Sequence, residues 1–384
     1  MHNDSMDNYS NHIAIIGGGI AGLALGCVLK KEGIPVIIFE KSKSISNHGA
    51  GISISKNGIS ILKKIDIYDV IKELSSEPKH VRFYTNSGEI TSFNAEVVTT
   101  SRQTLYQALL NRFYSLKGEI LFDHCLNEIN LENSELDFSN GIKFKVRHIA
   151  ACDGIRSNCR KFIGDDSTPV YSGYSAWRAI IDKQQNDIKS FLGANHHIVT
   201  YPINNNQVSF IAVVKTKKEV KESWRLSGSY NEMINELDSS NEIYYSFLKN
   251  HTDIFKWGLY TRNLTNPISS SNMTFLGDAA HPIVPFLGQG GCLALEDAYI
   301  FGKLILNHQN NFKIIQSQYE QLRIKRIKKI KLLSERQAYL NHIKNPLMVF
   351  GRNLVMKYMP KIALHNVQKI WNYDADLAMT EIKQ

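Results

Sequence analysis

The sequence has little cysteine: five residues in 384, scattered, odd in number and without a Cys-x-x-Cys pair. A disulfide framework and a cysteine-based zinc site are therefore not expected, and we predict reduced thiols in a cytoplasmic protein. The thirteen histidines show no His-Glu-x-x-His or similar ligand spacing. For this reason no metal site is predicted.

Long apolar runs are also missing, and none reaches the length of a membrane span. Residues 1–11 are polar, rich in Asn and Asp, and lack the apolar centre of a signal peptide, so we predict a disordered tail. The composition as a whole, 43% hydrophobic and 21% charged, is that of a globular protein long enough for two domains. We expect no stable membrane insertion.

The formal net charge of +9 raises the question of a nucleic-acid partner. No nucleic-acid-binding module is visible, and no aromatic residues are interleaved with a basic face, so no such partner is expected. The densest basic cluster, residues 323–331, has an isoleucine at every third position. This spacing predicts an amphipathic helix with one docked and one solvated face, and a peripheral membrane contact is the alternative.

What the sequence does have is a dinucleotide-binding fingerprint near its N-terminus. The apolar run His12–Ile16 predicts a buried parallel strand. Gly17, Gly19 and Gly22 complete the pattern G-x-G-x-x-G directly after it. Gly17 permits the tight turn, and Gly19 lets the backbone approach a pyrophosphate. Gly22 allows the following helix to pack closely on the strand.

The residues after the fingerprint complete a βαβ unit. A helix is predicted from Ile20 to Glu32, ended by Gly33, and its N-terminus offers free N–H groups to a phosphate. Pro35–Phe39 predicts the second strand, with Glu40 at its end. An acid at this position accepts hydrogen bonds from a ribose and disfavours a 2′-phosphate, so FAD or NAD is favoured over NADP as the bound nucleotide.

The rest of the chain predicts a second, sheet-rich domain. Helices are expected over 57–74 and 101–116, and a hairpin over 81–93 with its turn at 86–88. From 166 to 264, alternating β segments and a helix-forming stretch at 230–250 indicate an antiparallel sheet inserted into the first domain. The predicted division is a tail, 1–11; a nucleotide-binding domain, 12–75, 95–165 and 265–311; a substrate-binding sheet domain, 76–94 and 166–264; and a C-terminal helical region, 312–384.

Three further segments carry a resemblance to a known family. They are Cys152-Asp153-Gly154, then Gly277-Asp278-Ala279-Ala280-His281-Pro282, and then Pro285, Gly288-Gln289-Gly290-Gly291 and Glu296-Asp297-Ala298. Together with the fingerprint, in this order and spacing, they resemble the class A FAD-dependent aromatic hydroxylases over nearly the whole chain. Similarity to the branch of the salicylate and urate hydroxylases extends to Tyr174-Ser175-Ala176-Trp177-Arg178, Tyr201-Pro202 and Trp371-Asn372-Tyr373-Asp374.

The resemblance implies FAD as the cofactor, held by a Rossmann-like FAD-binding domain in an α/β fold with an α+β insert. Asp278 would accept hydrogen bonds from the ribityl hydroxyls. The turn from Pro285 to Gly291 would open a helix whose dipole stabilises the reduced flavin. The residues expected to bind the cofactor are Gly17, Gly19, Ile20, Ala21, Gly22, Glu40, Lys41, Gly49, Gly51, Arg102, Asp153, Asp278, Pro285, Gly288, Gly290 and Gly291.

The resemblance also implies a reaction. NADPH or NADH would bind transiently and reduce the flavin, which suits a chain without a second G-x-G-x-x-G. O₂ would then form a flavin C4a-hydroperoxide, which hydroxylates a small aromatic substrate in a dry pocket. Arg156 and Arg160, one helical turn apart, are candidates for contact with the nicotinamide cofactor, and a plain surface position is equally open for both.

The sheet domain would supply the substrate pocket. His197 is a candidate base or hydrogen-bond partner, Tyr201 a candidate donor and Arg178 a candidate partner for a substrate carboxylate, with Phe286 as an apolar wall. Ordinary packing is the alternative for each of them. Urate-specific members carry an Arg and a Tyr on this sheet, where matching without gaps gives His197 and Ser209. This difference favours a phenolic or carboxylated ring over urate.

Three alternatives stay open. The first is a hydroxylase of a larger ring, such as a tetracycline-like polyketide or a membrane quinone precursor. The second is a flavin oxidoreductase without hydroxylation; the W-x-W-x-I-P element of flavin halogenases is absent. The third, a non-catalytic nucleotide-binding protein, would not need Asp278 together with the glycine-rich turn. A monomer or a homodimer is expected.

Overall fold

The computed structural model describes residues 9–44, 50–220, 227–237, 245, 248–249, 251, 253–264, 267–309 and 311–382. Most of the predicted disordered tail lies outside these residues. Its last part does not behave as a tail, because the ring of Tyr9 packs at 5.3 Å from that of Phe144 and at 6.3 Å from that of Phe39. The aromatic side chain anchors the start of the chain on the core.

The strands are, in chain order, β1 Ile13–Ile16, β2 Val36–Phe39, β3 Gly51–Ser55, β4 His80–Thr85, β5 Gly88–Asn94, β6 Val97–Ser101, β7 Glu119–Leu121, β8 Leu126–Asn130, β9 Glu135–Phe138, β10 Lys143–Lys145, β11 His148–Ala151, β12 Val170–Asp182, β13 Ile188–Leu192, β14 His196–Pro202, β15 Gln207–Lys215, β16 Ser227–Gly228, β17 Ile254–Thr261, β18 Ser269–Ser270 and β19 Met273–Phe275.

The helices are α1 Ile20–Lys31, α2 Lys56–Lys64, α3 Tyr68–Glu73, α4 Arg102–Ser115, α5 Tyr230–Ile234, α6 Gly290–Asn307, α7 Phe312–Asn341, α8 Pro346–Tyr358, α9 Pro360–Trp371 and α10 Ala375–Thr380. Short 3₁₀ turns occur at Cys159–Ile163, Gly277–Ala279 and Pro285–Leu287.

A six-stranded sheet in the order β18-β19-β11-β1-β2-β7 forms the centre of the predicted nucleotide-binding domain. Its strands are parallel except for the edge strand β18. Every residue of β1, β2 and β11 is buried, as expected of strands with both faces covered. Helices α1 and α6 pack so closely that a Cβ on Gly302 would come within 2.5 Å of the Val28 side chain.

An eight-stranded sheet in the order β16-β17-β12-β15-β14-β13-β4-β5 forms the second layer. The predicted hairpin is its β4–β5 edge, and all pairs are antiparallel except β4 with β13. That pair is parallel because the hairpin joins the sheet from a distant part of the chain. Alternate residues, such as Trp177, Phe210 and Ala212, pack on the side of the sheet covered by Met233, Leu237, Tyr245 and Leu248. The division into domains stays a prediction.

Two helix predictions differ from the structure. The predicted helix 57–74 is two helices, because Asp66 between α2 and α3 has a left-handed φ of 60°. The helix-forming stretch at 230–250 contains the five-residue helix α5, and much of the remainder lies outside the described residues. Ser229 and Glu232 cap α5 reciprocally, which explains why it begins at Tyr230.

The C-terminal part is helical, as predicted, and packs against the rest of the protein through α7. Arg323 of α7 is fully buried and donates to Glu296 and Asp297 of α6 at 2.8 and 2.6 Å. Arg326 donates to both carboxylate oxygens of Glu296. The basic cluster 323–331 is therefore partly a buried ion-pair network. Among the described residues, no helix is both long and apolar enough to cross a membrane.

Candidate active site

The fingerprint glycines occupy the positions that their predicted roles require. Gly17 has a φ of +104°, and a Cβ there would lie 2.6 Å from the carbonyl oxygen of Cys152. A Cβ on Gly22 would lie 2.0 Å from the Gly17 carbonyl oxygen, which fixes the close approach of α1 to β1. A Cβ on Gly19, by contrast, would meet no atom within 4 Å. Gly19 faces open space, where a ligand can approach the backbone.

Glu40 closes the fingerprint loop from the next strand. Its two carboxylate oxygens accept hydrogen bonds from the backbone N–H groups of Gly18 and Ser42, at 2.8 and 2.9 Å. These bonds hold the carboxylate beside the glycine loop. Each oxygen keeps further acceptor capacity for a ribose hydroxyl.

The Gly277 turn is held by a buried carboxylate from α6. Gly277 adopts a φ of +59°, and its N–H donates to Asp297 at 2.8 Å. The same carboxylate oxygen lies 2.5 Å from Nε2 of His281. Asp278 itself is exposed and lines the cavity described below. The conformation of the turn thus points the acid at position 278 away from the core.

The buried carboxylates of α6 are ionised by their partners. Burial raises the pKa of Asp297, but the lowering effects of His281 and Arg323 are larger in sum and bring it to about 2. Burial likewise raises the pKa of Glu296, and Arg326 and Arg323 bring it below its usual value. Asn57 donates to Glu296 at 2.7 Å and to Gln289 at 3.0 Å. This polar network fixes the start of α6 against α2.

A cavity of about 990 Å³ lies between the fingerprint loop, the eight-stranded sheet and the C-terminal helices. The predicted cofactor residues that line it are Gly19, Ile20, Ala21, Gly51, Arg102, Asp278, Pro285, Gly288, Gly290 and Gly291. Gly17, Gly22 and Glu40 support the loop from behind. Gly49 lies outside the described residues.

Lys41 and Asp153 are two further predicted cofactor residues that do not line the cavity. Lys41 is exposed beyond Glu40. Asp153 accepts a hydrogen bond from the N–H of Cys159 at 3.1 Å, while its other oxygen is buried without a partner among the described residues. Its neighbours Cys152 and Gly154 do line the cavity. Asp153 therefore shapes the turn behind the cavity wall.

The cavity joins the predicted cofactor side to the predicted substrate side at Gly51. A Cβ on Gly51 would lie 2.5 Å from the Ser209 side chain and 2.7 Å from the ring of Tyr201. Tyr201 and Ser209 are direct partners on β14 and β15. The sheet therefore meets strand β3 at these two side chains, which places Tyr201 next to Gly51, one of the residues predicted to bind the cofactor.

Arg178 presents an unsatisfied cation to the cavity. Its guanidinium carbon lies 3.9 Å from the centroid of the Trp257 ring, a cation–π contact. Its Nε is buried and has no hydrogen-bond acceptor among the described residues. Burial lowers the pKa of Arg178 to about 10, against a raising effect of Tyr201. An unpaired buried donor of this kind calls for an anionic ligand.

His197 lines the same cavity and is paired with a histidine from the C-terminal region. Its Nδ1 lies 2.9 Å from Nε2 of His342, the residue that follows α7. Burial lowers the pKa of His197 well below its usual value, and burial lowers that of His342 to about 4. The ring of Phe286 packs on both, at 5.7 Å from each ring centroid. Nothing in the sequence spacing indicated His342.

Arg160 does not take the role considered for it. It is buried and donates to the carbonyl oxygens of Ala279 and Ala280 at 2.7 and 2.8 Å and to Asp165 at 2.6 Å. These bonds hold the segment after Asp278. Arg156 is exposed and precedes the 3₁₀ turn, so the two arginines do not share a helix.

The far wall of the cavity comes from the C-terminal helices. It includes Met348, Val355 and Met356 of α8 and Val367 and Ile370 of α9. Facing them are the sheet residues Val81, Phe83, Thr91 and Phe93 of the β4–β5 hairpin. The cavity thus has a polar end near Arg178 and, under α8 and α9, a largely apolar end that also includes Arg352 and Asn366. The sequence assigned no function to these two helices.

Comparison with known proteins agrees with this architecture. Residues 10–330 match the family described as FAD binding domain. The 3-amino-4-hydroxybenzoate 2-monooxygenase PtmB3 of Streptomyces platensis is 25% identical over 360 residues, covering 88% of this chain and 90% of that protein. Among solved structures, a salicylate hydroxylase substrate complex has a TM-score of 0.81 at 22% identity, covering 100% of this chain and 99% of that one. Klebsiella pneumoniae HpxO with FAD and uric acid has a TM-score of 0.81 at 19% identity, covering 98% and 97%. These likenesses confirm the predicted fold class.

Proposed function

Because the chain belongs to the FAD binding domain family and is an FAD-dependent monooxygenase of the aromatic-hydroxylase type, we propose that it uses NADH or NADPH to hydroxylate a small aromatic substrate with a phenolic or carboxylate group. One atom of O₂ enters the ring as a hydroxyl and the other leaves as water, with the electrons supplied by the reduced nicotinamide. Bound FAD supplies the reaction with O₂. The residues of this chain bind the cofactor, orient the substrate and exclude water.

The residues present fit FAD. The open position at Gly19 leaves room for a pyrophosphate at the N-terminus of α1. The Glu40 carboxylate would accept hydrogen bonds from a ribose hydroxyl. Asp278 lines the cavity where hydroxyls of the ribityl chain would donate to it. A Cβ added to Gly288 or Gly290, at the start of α6, would meet no atom within 4 Å, so the flavin edge can contact their backbone.

The unsatisfied Arg178 is the observation that carries the substrate proposal. A substrate carboxylate would accept from the part of the Arg178 guanidinium that lines the cavity and compensate the burial that lowers its pKa. Such charge-assisted bonds fix orientation as well as affinity. The cation–π contact with Trp257 already holds the guanidinium in one plane. The ring of the substrate would then lie between Arg178 and Gly51.

His197 and Tyr201 complete the polar end. Since the pKa of His197 is far below neutrality, the ring is neutral and its Nδ1 is engaged with His342. Nε2 of His197 is then the atom available to a phenolic hydroxyl, as donor or acceptor according to the tautomer. Burial raises the pKa of Tyr201, so its hydroxyl stays protonated and is suited to donate a hydrogen bond.

The test compares matched aromatic compounds with and without a carboxylate. We expect benzoates with a phenolic hydroxyl to stimulate NAD(P)H oxidation and to yield a hydroxylated product. Arg178→Gln should raise the KM for the carboxylated compounds at least about tenfold, the loss of one charge-assisted contact, and change that for simple phenols little. The control is Arg147→Gln, an exposed arginine that does not line the cavity.

Two outcomes would contradict the proposal. Stimulated oxidation that yields only hydrogen peroxide with every compound would favour a flavin oxidoreductase without hydroxylation. An Arg178→Gln enzyme with an unchanged preference for carboxylated compounds would remove the assigned role of Arg178.

A larger substrate is the second candidate, and the apolar end of the cavity favours it. The wall between the β4–β5 hairpin and α8–α9 offers Phe83, Phe93, Met348 and Val355 to a hydrophobic extension of the ring. A tetracycline-like polyketide or a quinone precursor would fill this end. Product formation with such compounds, and none with simple benzoates, would select it. A cytoplasmic location and a monomeric or homodimeric state remain proposals.

A further inference from the structure

In the α8–α9 hairpin, helix α8 exposes an apolar surface on the outside of the cavity wall. It consists of four side chains that are between 47% and 81% exposed: Leu347 81%, Phe350 68%, Leu354 47% and Tyr358 68%. We call these four residues the hairpin face. Large apolar side chains scattered singly are normal on a protein surface, but a contiguous group of this size marks a contact site.

The spacing of the hairpin face shows that it is one side of a helix. Leu347, Phe350, Leu354 and Tyr358 follow one another at intervals of three or four residues, which places them along a single stripe of α8. Other residues of α8, among them Arg352 and Val355, line the cavity instead. No residue of α8 is buried. The helix therefore has apolar side chains on two sides, and only one of them faces the rest of the protein.

The charge around the hairpin face has one sign. From Arg336 to Tyr373 the chain has no aspartate and no glutamate. The same segment has six Lys or Arg residues, of which Lys344, Lys357, Lys361 and Lys369 are exposed. Exposed apolar side chains flanked by cations and free of acids match the interface of an anionic lipid bilayer, where the apolar groups enter the headgroup region and the cations meet phosphates.

We propose that the α8–α9 hairpin docks the enzyme on an anionic membrane surface through the hairpin face. Docking is peripheral, since no described helix meets the length and apolarity of a membrane span. A second copy of the chain is a poorer occupant, because a twofold contact would bring the acid-free surface against itself. The proposal holds whichever aromatic substrate the enzyme uses.

This location differs from the basic cluster at 323–331. There Arg323 and Arg326 are bound to Glu296 and Asp297, and Lys331 donates to the carbonyl oxygen of Arg262 at 2.9 Å. Those cations therefore serve internal contacts. Docking through α8–α9 also has a geometric consequence: the same two helices wall the apolar end of the cavity, so that end would lie next to the lipid.

The experiment is flotation of the FAD-loaded, full-length enzyme with lipid vesicles. We expect binding to vesicles of phosphatidylcholine mixed with phosphatidylglycerol, release at high salt, and little binding to phosphatidylcholine alone. The pair Phe350→Ser and Leu354→Ser should weaken binding at least about tenfold. The matched control is Leu74→Ser, a leucine of 58% exposure outside the hairpin. Unchanged FAD content and thermal unfolding show that the variants fold.

Charge reversal separates the two basic segments. Lys357→Glu with Lys361→Glu should abolish binding to the anionic vesicles, whereas Lys328→Glu with Lys329→Glu on the exposed side of α7 should leave most of it. The opposite pattern would overturn the proposal, as would equal binding to both kinds of vesicle. A wild-type dimer that ignores vesicles and becomes monomeric with Phe350→Ser and Leu354→Ser would assign the hairpin face to a second copy instead.

Discussion

Nδ1 of His197 and Nε2 of His342 lie 2.9 Å apart, although one residue belongs to the eight-stranded sheet and the other follows the long helix α7. One nitrogen of this contact must donate and the other accept, so the tautomer of one ring determines that of the other. The contact also makes the protonation of His197 in the cavity depend on a residue of the C-terminal region. Both pKa values are lowered, primarily by burial.

The His342 pKa predicts a pH-dependent stability. The unfolded chain binds a proton near pH 6.5, but the folded protein binds it at His342 only near pH 4. The free energy of unfolding therefore falls as the pH decreases through this window, by about 2 kcal/mol between about pH 7.5 and about pH 5 for one such group. His342→Gln should lose correspondingly less over the same interval. Urea unfolding of both proteins at the two pH values measures the difference, and parallel losses would contradict the assignment.

The two fingerprint glycines should respond differently to the same substitution. Gly19→Ala adds a Cβ that meets no protein atom within 4 Å, so the apoprotein should keep its stability within about 0.5 kcal/mol. It should nevertheless bind FAD at least about tenfold more weakly, which corresponds to about 1.4 kcal/mol, because the Cβ occupies space meant for the pyrophosphate.

Gly22→Ala is the matched comparison. Its Cβ would lie 2.0 Å from the Gly17 carbonyl oxygen, so the loss should be in folding, by about 3 kcal/mol or more. Unfolding of the apoproteins and fluorescence titration with FAD separate the two effects. Equal FAD affinity of Gly19→Ala and the wild type would contradict the predicted position of the pyrophosphate beside Gly19.

Asp278→Ala should weaken FAD retention without unfolding the protein. The carboxylate is exposed to the cavity, so its removal creates no buried defect. Loss of charge-assisted bonds to ribityl hydroxyls should cost about 1.5–3 kcal/mol, or about ten- to a hundredfold in affinity. Asp278→Asn keeps one acceptor oxygen, so its FAD affinity should lie between those of the wild type and Asp278→Ala. FAD affinity that does not change in either variant would refute the ribityl contact.

Arg323→Met tests the buried ion-pair network that holds the Gly277 turn. Removing this guanidinium leaves Asp297 and Glu296 with less compensation for their burial, which should cost about 3–5 kcal/mol. Lys325→Met, on the exposed side of the same helix, should change the free energy of unfolding by no more than about 0.5 kcal/mol. Denaturant unfolding of the two variants provides the measurement, and a small loss for Arg323→Met would show that the network is not a source of stability.

The predictions from the sequence were most accurate for features that depend on residues close to one another in the chain. Gly22 is required by its contact with Gly17 within one βαβ unit, and Gly17 by its own left-handed backbone conformation, so their spacing alone indicates their function. The strand before them and the helix after them follow from the apolar pattern of the same unit. The division of the predicted helix 57–74 was missed because it depends on the left-handed conformation of one residue, Asp66, that the apolar periodicity does not reveal.

The sequence predicted least where a contact joins distant segments. His342 reaches His197 only because α7 crosses the molecule, and no local pattern distinguishes it from the other histidines. Arg323 resembles its basic neighbours in sequence, yet it is fully buried between two carboxylates. Arg178 and Tyr201 do line the cavity, and their roles toward a substrate stay predictions; Trp257, which packs against Arg178, was not recognised from the sequence.

The Asp297 carboxylate connects the Gly277 turn, His281 and Arg323 in one buried contact. We therefore expect the predicted boundary at residue 312 to separate stretches of sequence and not units that are stable alone. A protein shortened to end at residue 311 would keep the fingerprint, the Gly277 turn and α6, but both acids of α6 would lose their guanidinium partners. The C-terminal helices thus act as a required part of the cofactor domain, and truncation from that end should cost FAD binding as well as substrate binding.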